Sequence, residues 1–226
     1  MEIWCDSAQP EIVTTFAQFG WITGVTTNPK ILSMQPVSVS EQIDELLEIQ
    51  QGFLAVQVVA TTSEGMLKQA KRLHALSSRI IVKIPMVAEG IKAISLLQEA
   101  KIPTLATAVF GADQFLLAAK MQVDYVAPYL SQMQQHNIDI FAELAMMQEM
   151  IQHYGFTTKV MAAGIEEAQQ IKKLATLGIA AITLPPHCLL DWIESDPLTL
   201  AGTQSLNAAW APFAKQYAHP LFSIED

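Results

Sequence analysis

The chain has 226 residues, 51% hydrophobic and only 15% charged, with 22 acidic against 13 basic side chains and a formal net charge of −9. Such a length and composition suit one large α/β domain or two small ones around a thick core, and exclude a disordered or fibrous chain. The acidic balance argues against nucleic acid or an anionic membrane surface as a partner.

Met1 leads directly into "EIWCDSA", with no basic segment and apolar leader, and the run Glu2–Asp6 reads as a first strand. "PEIVTTFAQFG" follows as a helix, with Pro10 near its start and Gly20 just past its end. "GVTTN" (24–28) and "FLAVQVVA" (53–60) are the second and third strands, and "SEGMLKQAKRLHALS" has helical spacing. "RIIVKIP" (79–85) is the fourth strand. In "AEGIKAISLLQEA" after it, Ile91, Ile94 and Leu97 join Met86 on one face, and Glu89 sits where the helix dipole favours an anion. "PTLATAVF", "DYVAPYL", "KVMAAG" and "AAITLP" bring the strands to eight.

Val-, Ile- and Ala-rich strands with little polar–apolar alternation point to a parallel sheet covered on both faces. Eight β–α units average about 28 residues here, compact for a (β/α)8 barrel of about 250. A doubly wound open sheet competes, but no Gly-x-Gly-x-x-Gly follows the first strand. The expected fold is therefore α/β: a single-domain (β/α)8 TIM barrel over residues 1–226 with an extra C-terminal helix. Its tail, 197–226, carries Trp210, Phe213, Tyr217 and Phe222, apolar enough to need a partner surface at the barrel's bottom or on a neighbouring subunit.

Every apolar run falls well short of the roughly 18 residues of a membrane span. Cys5 and Cys188 have neither metal-type spacing nor a disulfide framework, and five scattered histidines include no pair at i,i+3 or i,i+4. A soluble cytoplasmic protein without a metal site is expected.

Lys83 stands in the middle of an apolar strand, an expensive place for an unpaired ammonium. Polar residues also close five other strands: Asp6, Asn28, Gln57, Thr107 and Tyr129. Singly, each could be a helix cap, a turn residue or a core aromatic. Together they ring the C-terminal face of a barrel, where active sites of this architecture lie. Side chains two apart share a strand face, so Trp4 and Asp6, Ala55 and Gln57, Ile81 and Lys83, and Leu105 and Thr107 form one inward set. Burial there would lower the Lys83 pKa, favouring a free amine able to form a Schiff base with a ketone.

"CDSA", "GVTTNPKIL", "QVVATTSEGM", "VKIPMVAEGIKAI", "IPTLATAVFGADQ" and "YVAPYL" closely resemble the transaldolase family, in particular its small fructose-6-phosphate aldolase-like branch. The resemblance covers essentially the whole chain. It implies a class I aldolase or aldol-transfer enzyme acting on small sugars, ketones and aldehydes, without metal or organic cofactor, and assembled as a homopentamer or a homodecamer. By the same resemblance Lys83 is the Schiff-base lysine, and Asp6 assists proton transfer. Asn28, with Thr26 close by, holds a donor hydroxyl, and Gln57, Thr107 and Tyr129 position a catalytic water. Transaldolases proper resemble this ring with Glu and Phe at the positions of Gln57 and Tyr129. The pair found here favours direct aldol cleavage or addition over transfer; a transaldolase and an inactive sugar-binding homologue are the alternatives.

The chain departs from the family at the acceptor end. Gln132 stands where the family has arginine, Gly164 where it has serine, and Glu166 where it has a basic residue. Those family groups bind the acceptor's phosphate, and Arg72 and Arg79 are placed before the fourth strand, away from the expected mouth. Weakened phosphate recognition is therefore expected.

Overall fold

The computed structural model describes residues 1–194 and 196–217. Eight parallel strands close into a barrel: β1 (Glu2–Asp6), β2 (Gly24–Thr26), β3 (Phe53–Gln57), β4 (Ile80–Pro85), β5 (Thr104–Val109), β6 (Tyr125–Pro128), β7 (Lys159–Ala162) and β8 (Ala181–Leu184), with β8 pairing back onto β1. Helices connect them: α1 (Pro10–Ala17), α2 (Pro29–Ser33), α3 (Val39–Ile49), α4 (Ser63–Leu76), α5 (Ala88–Glu99), α6 (Ala112–Lys120), α7 (Leu130–Gln135), α8 (Ile140–Tyr154), α9 (Gln169–Thr176) and α10 (Pro186–Ile193). All eight expected strands form, and the (β/α)8 fold is the one expected. Six of them, β2, β3, β5, β6, β7 and β8, stop one to three residues short of their expected C-terminal ends, where the chain leaves the ladder for the loops.

Strand parity separates two cores. Cys5, Val25, Leu54, Val56, Ile80, Val82 and Ile84 point outward against the helices. Trp4, Ala55, Ile81, Leu105, Tyr125, Ala127, Met161 and Ala181 fill the barrel interior. The four inner pairs expected from parity thus have their lower members in this interior. Trp4 is fully buried, stacked on Phe53 and edge-on to Tyr125 at centroid distances of 6.1 and 5.7 Å. Gly24 makes room for that indole: a Cβ at position 24 would lie 2.7 Å from the Trp4 ring and 2.4 Å from the Phe53 carbonyl oxygen.

The interior is sealed at the N-terminal end by one polar network. The Glu2 carboxylate accepts from Trp4 Nε1 (3.2 Å) and Tyr125 Oη (2.9 Å), and pairs with Lys159 Nζ at 2.5 Å. Lys159 also lies over the Tyr125 ring, 5.4 Å from its centroid. Burial pushes the Glu2 pKa up, but the bonds from Lys159, Tyr125 and Trp4 outweigh it and hold the carboxyl below its ordinary range.

Contacts divide the chain into two compact units, 1–189 and a second beginning at Leu190. The second unit contains the long helix α11 (Pro197–Tyr217), whose start is fixed by Leu198 N–H donating to Asp196 Oδ1 at 2.7 Å. Leu198 and Leu206 are 83% and 74% exposed, and Phe213 about half. Trp210 and Phe213 contact each other, with centroids 5.1 Å apart. Phe222 lies outside the described residues.

Candidate active site

β4 delivers Lys83 to the C-terminal end of the barrel interior, where it is only 4% exposed. Its Nζ donates to the backbone carbonyl of Thr27 at 2.7 Å. That carbonyl is fixed in place, because Thr27 N–H and Oγ1 both donate to the Ala55 carbonyl, at 2.9 and 3.0 Å. Among the described residues, no carboxylate makes an ion-pair contact with Lys83. Burial pulls its pKa down, against the opposing pull of the Asp6 charge. The result is an amine that can be neutral, tethered through one N–H and able to present its lone pair to a carbonyl carbon.

Asp6, at the end of β1, is partly buried, and desolvation raises its pKa against the Lys83 charge and a hydrogen bond from Thr26. Thr26 Oγ1 on β2 donates to Asp6 Oδ1 at 2.6 Å, and Thr183 Oγ1 on β8 lies 2.6 Å from Thr26 Oγ1. Asp6 caps no helix among the described ones; its carboxyl lines the cavity within electrostatic reach of Lys83. Asn28 combines both of its possible roles. Its Oδ1 caps α2 by accepting from Ile31 N–H at 3.0 Å, which leaves the amide NH2 as the end able to donate into the cavity.

Tyr129, at the start of α7, reaches across to Thr107, with hydroxyl oxygens 2.5 Å apart. Burial raises the Tyr129 pKa; the Thr107 bond opposes this and Asp6 adds to it. A register shift against β6 between Ala106 and Val109 reverses the parity of β5 just beyond Thr107. Ala108 takes a left-handed conformation, φ 58°, and Val109 turns out to the helix-facing core. A non-glycine residue in that region costs roughly 1–3 kcal/mol, a strain that concentrates at functional sites.

These groups meet at a cavity of about 360 Å³. Asp6, Asn28, Gln57, Lys83 and Tyr129 line it, with Gln132 and Gly164 on the same wall. Thr26 and Thr107 stand one bond behind, on Asp6 and Tyr129. All nine residues singled out from the sequence are therefore brought together. Three others on the wall were missed: Lys30, Ser131 and Thr183. Strand parity from Ala181 would have found Thr183. Lys30 sat in plain view after Asn28 and Pro29, and puts a cation on the wall besides Lys83. Glu166 is exposed and absent from the wall, so it does not oppose an anion inside the cavity. Gly164 has φ 67°, and a Cβ there would lie 2.9 Å from Ser131 Oγ; the Ser131 hydroxyl takes the space a side chain at 164 would need. Arg79 donates to the Leu47, Gln50 and Gly52 carbonyls at and just past the C-terminal end of α3, and Arg72 lines a neighbouring cavity that shares Pro29 and Gln57 with this one but does not line this one.

The family model described as Transaldolase/Fructose-6-phosphate aldolase matches residues 3–220. The chain belongs to the transaldolase/fructose-6-phosphate aldolase family. A protein named "Probable transaldolase" from Kosmotoga olearia is 35% identical over 215 residues, 95% of this chain and 98% of its own. One of the same name from Desulfitobacterium hafniense is 36% identical over 210 residues, 93% of this chain and 98% of its own. Among solved structures, the flavin-binding domain of baker's yeast flavocytochrome b2 superposes with a TM-score of 0.60 at 13% identity. It covers 82% of this chain and 56% of that one, a likeness of fold alone. Membership of the transaldolase/fructose-6-phosphate aldolase family makes this an enzyme of aldolase type, and the buried lysine facing a carboxylate and a phenol across one cavity is suited to that chemistry.

Proposed function

We propose that the protein is a class I aldolase. It joins or splits a dihydroxyacetone- or hydroxyacetone-type donor and an aldehyde through an imine on Lys83. The observation that carries this reading is the Lys83 amine, buried and hydrogen-bonded to a neutral carbonyl at the floor of a polar cavity. The amine attacks the donor carbonyl and water leaves, giving a protonated imine that draws electrons from the adjacent carbon. Asp6 exchanges protons with the reacting hydroxyl, Asn28 and Thr26 orient the donor, and Gln57, Thr107 and Tyr129 hold the water that hydrolyses the imine. Borohydride in the presence of dihydroxyacetone should add one reduced donor per chain. Lys83→Met should abolish that addition; unchanged labelling would overturn the assignment.

Gln57 and Tyr129 support aldol cleavage and addition over transfer, because a phenol beside the water can complete the protonation that frees the donor. Transfer of a dihydroxyacetone unit between sugars is the second reading, favoured by the names of the relatives. Release of free dihydroxyacetone from fructose 6-phosphate without added aldehyde separates the two.

Phosphate recognition is weaker in this proposal than where an arginine and a second basic group clamp the acceptor. Lys30 is exposed and is the cation left for that role on the wall. A charged hydrogen bond is worth about 1.5–3 kcal/mol, so the loss of one costs a phosphorylated aldehyde roughly tenfold to a hundredfold. Glycolaldehyde or glyceraldehyde should match or exceed glyceraldehyde 3-phosphate in kcat/KM, and Lys30→Met should widen the gap. A strong preference for the phosphate that survives Lys30→Met would refute the weakened clamp. The apolar side chains exposed on α11 support assembly into a homopentamer or homodecamer, measurable by light scattering. Buried cysteine thiols support a cytoplasmic location.

A further inference from the structure

Thr183 on β8 has no part in the reaction as written above, yet it lines the cavity and its hydroxyl oxygen lies 2.6 Å from that of Thr26. We propose that Thr183 is a positioning residue that aims the Thr26 proton at Asp6, so that three side chains from three adjoining strands act as one directed hydrogen-bond chain. The proposal rests on the aldolase reading, in which Asp6 exchanges a proton with the substrate.

Proton counting fixes the direction. Each threonine hydroxyl owns a single proton, and an ionised carboxylate can only accept. Thr26 spends its proton on Asp6 Oδ1 at 2.6 Å. The short contact between Thr26 and Thr183 can then be a hydrogen bond only if Thr183 donates, since otherwise two sets of lone pairs would face each other. The bonds therefore run from Thr183 to Thr26 to Asp6, and a donor that is itself hydrogen-bonded in this way is the stronger donor. The closed barrel builds the chain. Trp4 of β1 registers with Thr183 of β8, and Asp6 of β1 with Thr26 of β2, so both threonines flank the strand that carries the carboxylate. Both are at most 4% exposed, which keeps bulk water from replacing either bond.

The chain also responds to the reaction. When Asp6 takes a proton from the substrate onto Oδ1, it becomes the donor to Thr26. Thr26 must then turn its proton to Thr183, and Thr183 turns its own to the cavity. The substrate loses one proton and Asp6 gains it; the hydroxyl rotations move no net charge. Thr183 thus presents a lone pair to the cavity while Asp6 is a base, and a donor once Asp6 is an acid. The other groups bearing on the Asp6 charge are Lys83, Tyr129 and its neighbour Cys5, and none of them changes in the test.

The test is the pH profile of dihydroxyacetone addition to glycolaldehyde by the full chain. The limb due to Asp6 is the one that Asp6→Asn removes. Thr183→Val keeps the shape and deletes the donor. It should raise that limb by about 0.5–1 pH unit and lower kcat about threefold to tenfold, with KM changed less than about twofold. Thr183→Ser should return both, and Thr183→Val in the Asp6→Asn background should add no further loss. Thr183→Ala gives the same comparison if the valine is not accommodated. An unmoved limb in the valine and alanine variants, with borohydride trapping at Lys83 intact, would overturn this proposal and leave the aldolase reading standing. Absence of trapping in the unmodified protein would overturn both.

Discussion

The two ends of the barrel each place a lysine beside a carboxylate, and they treat it in opposite ways. At the N-terminal end Lys159 touches Glu2 at 2.5 Å, and the same carboxylate also satisfies Tyr125 and Trp4. There the lysine and its carboxylate are in direct contact. At the C-terminal end Lys83 is more deeply buried but bonds only to the neutral Thr27 carbonyl, while Asp6 takes its hydrogen bond from Thr26. A lysine held by its counter-ion contributes structure; a buried lysine tethered by a neutral acceptor stays available for chemistry. Between these layers Trp4, Ile81, Leu105 and Met161 keep the two ends apart.

The largest effect that can sharpen this contrast is at the top. Tyr129→Phe removes the hydroxyl paired with Thr107 and should lower aldol turnover by about 10²–10⁴, the usual value of general acid–base help. Trapping at Lys83 should be much less affected. A variant with near-normal turnover would show that Tyr129 only packs. Next is the layer between the ends. Gly24→Ala forces a methyl against the Trp4 ring and the Phe53 carbonyl, and should destabilise the fold by about 1–3 kcal/mol in urea denaturation. An unchanged midpoint would mean that the interior is looser than its packing implies. The smallest effect is at the bottom. The Glu2 carboxyl is held below its ordinary pKa, so its contribution is complete above the ordinary carboxylate value near 4.3. It is lost as pH falls through the lower folded value. Glu2→Gln should therefore flatten the loss of thermal stability below about pH 4.3 and leave aldol turnover near neutral pH within about twofold. A fall in turnover as large as that of Tyr129→Phe would break the separation of the two ends.

Much of this was legible in the residues. Parity along apolar strands located the inward set, because side chains alternate between the two faces of a strand. The polar strand ends marked the mouth for the same reason. What stayed hidden depends on backbone geometry or on partners distant in the chain. An alanine gives no sign that residue 108 will take a left-handed conformation and turn Val109 outward. The donor at Thr183 is meaningful only once β8 has closed onto β1. Lys30 follows Pro29 in the short helix α2, where an exposed cation is the ordinary expectation, and only the folded turn from β2 into α2 carries it to the cavity wall.

The left-handed turn at Gly164 has a historical consequence. With φ at 67° and the Ser131 hydroxyl already in the space beside it, position 164 cannot take a serine in one step without strain. On the proposed reading, a stronger phosphate clamp would be built first at Ser131 or Gln132, and only afterwards at 164. The order of substitutions is therefore constrained, and a change harmless in one background is unfavourable in the other. A selection for phosphorylated acceptors that begins from this chain should accumulate basic substitutions at 132 or near Lys30 well before any side chain appears at 164.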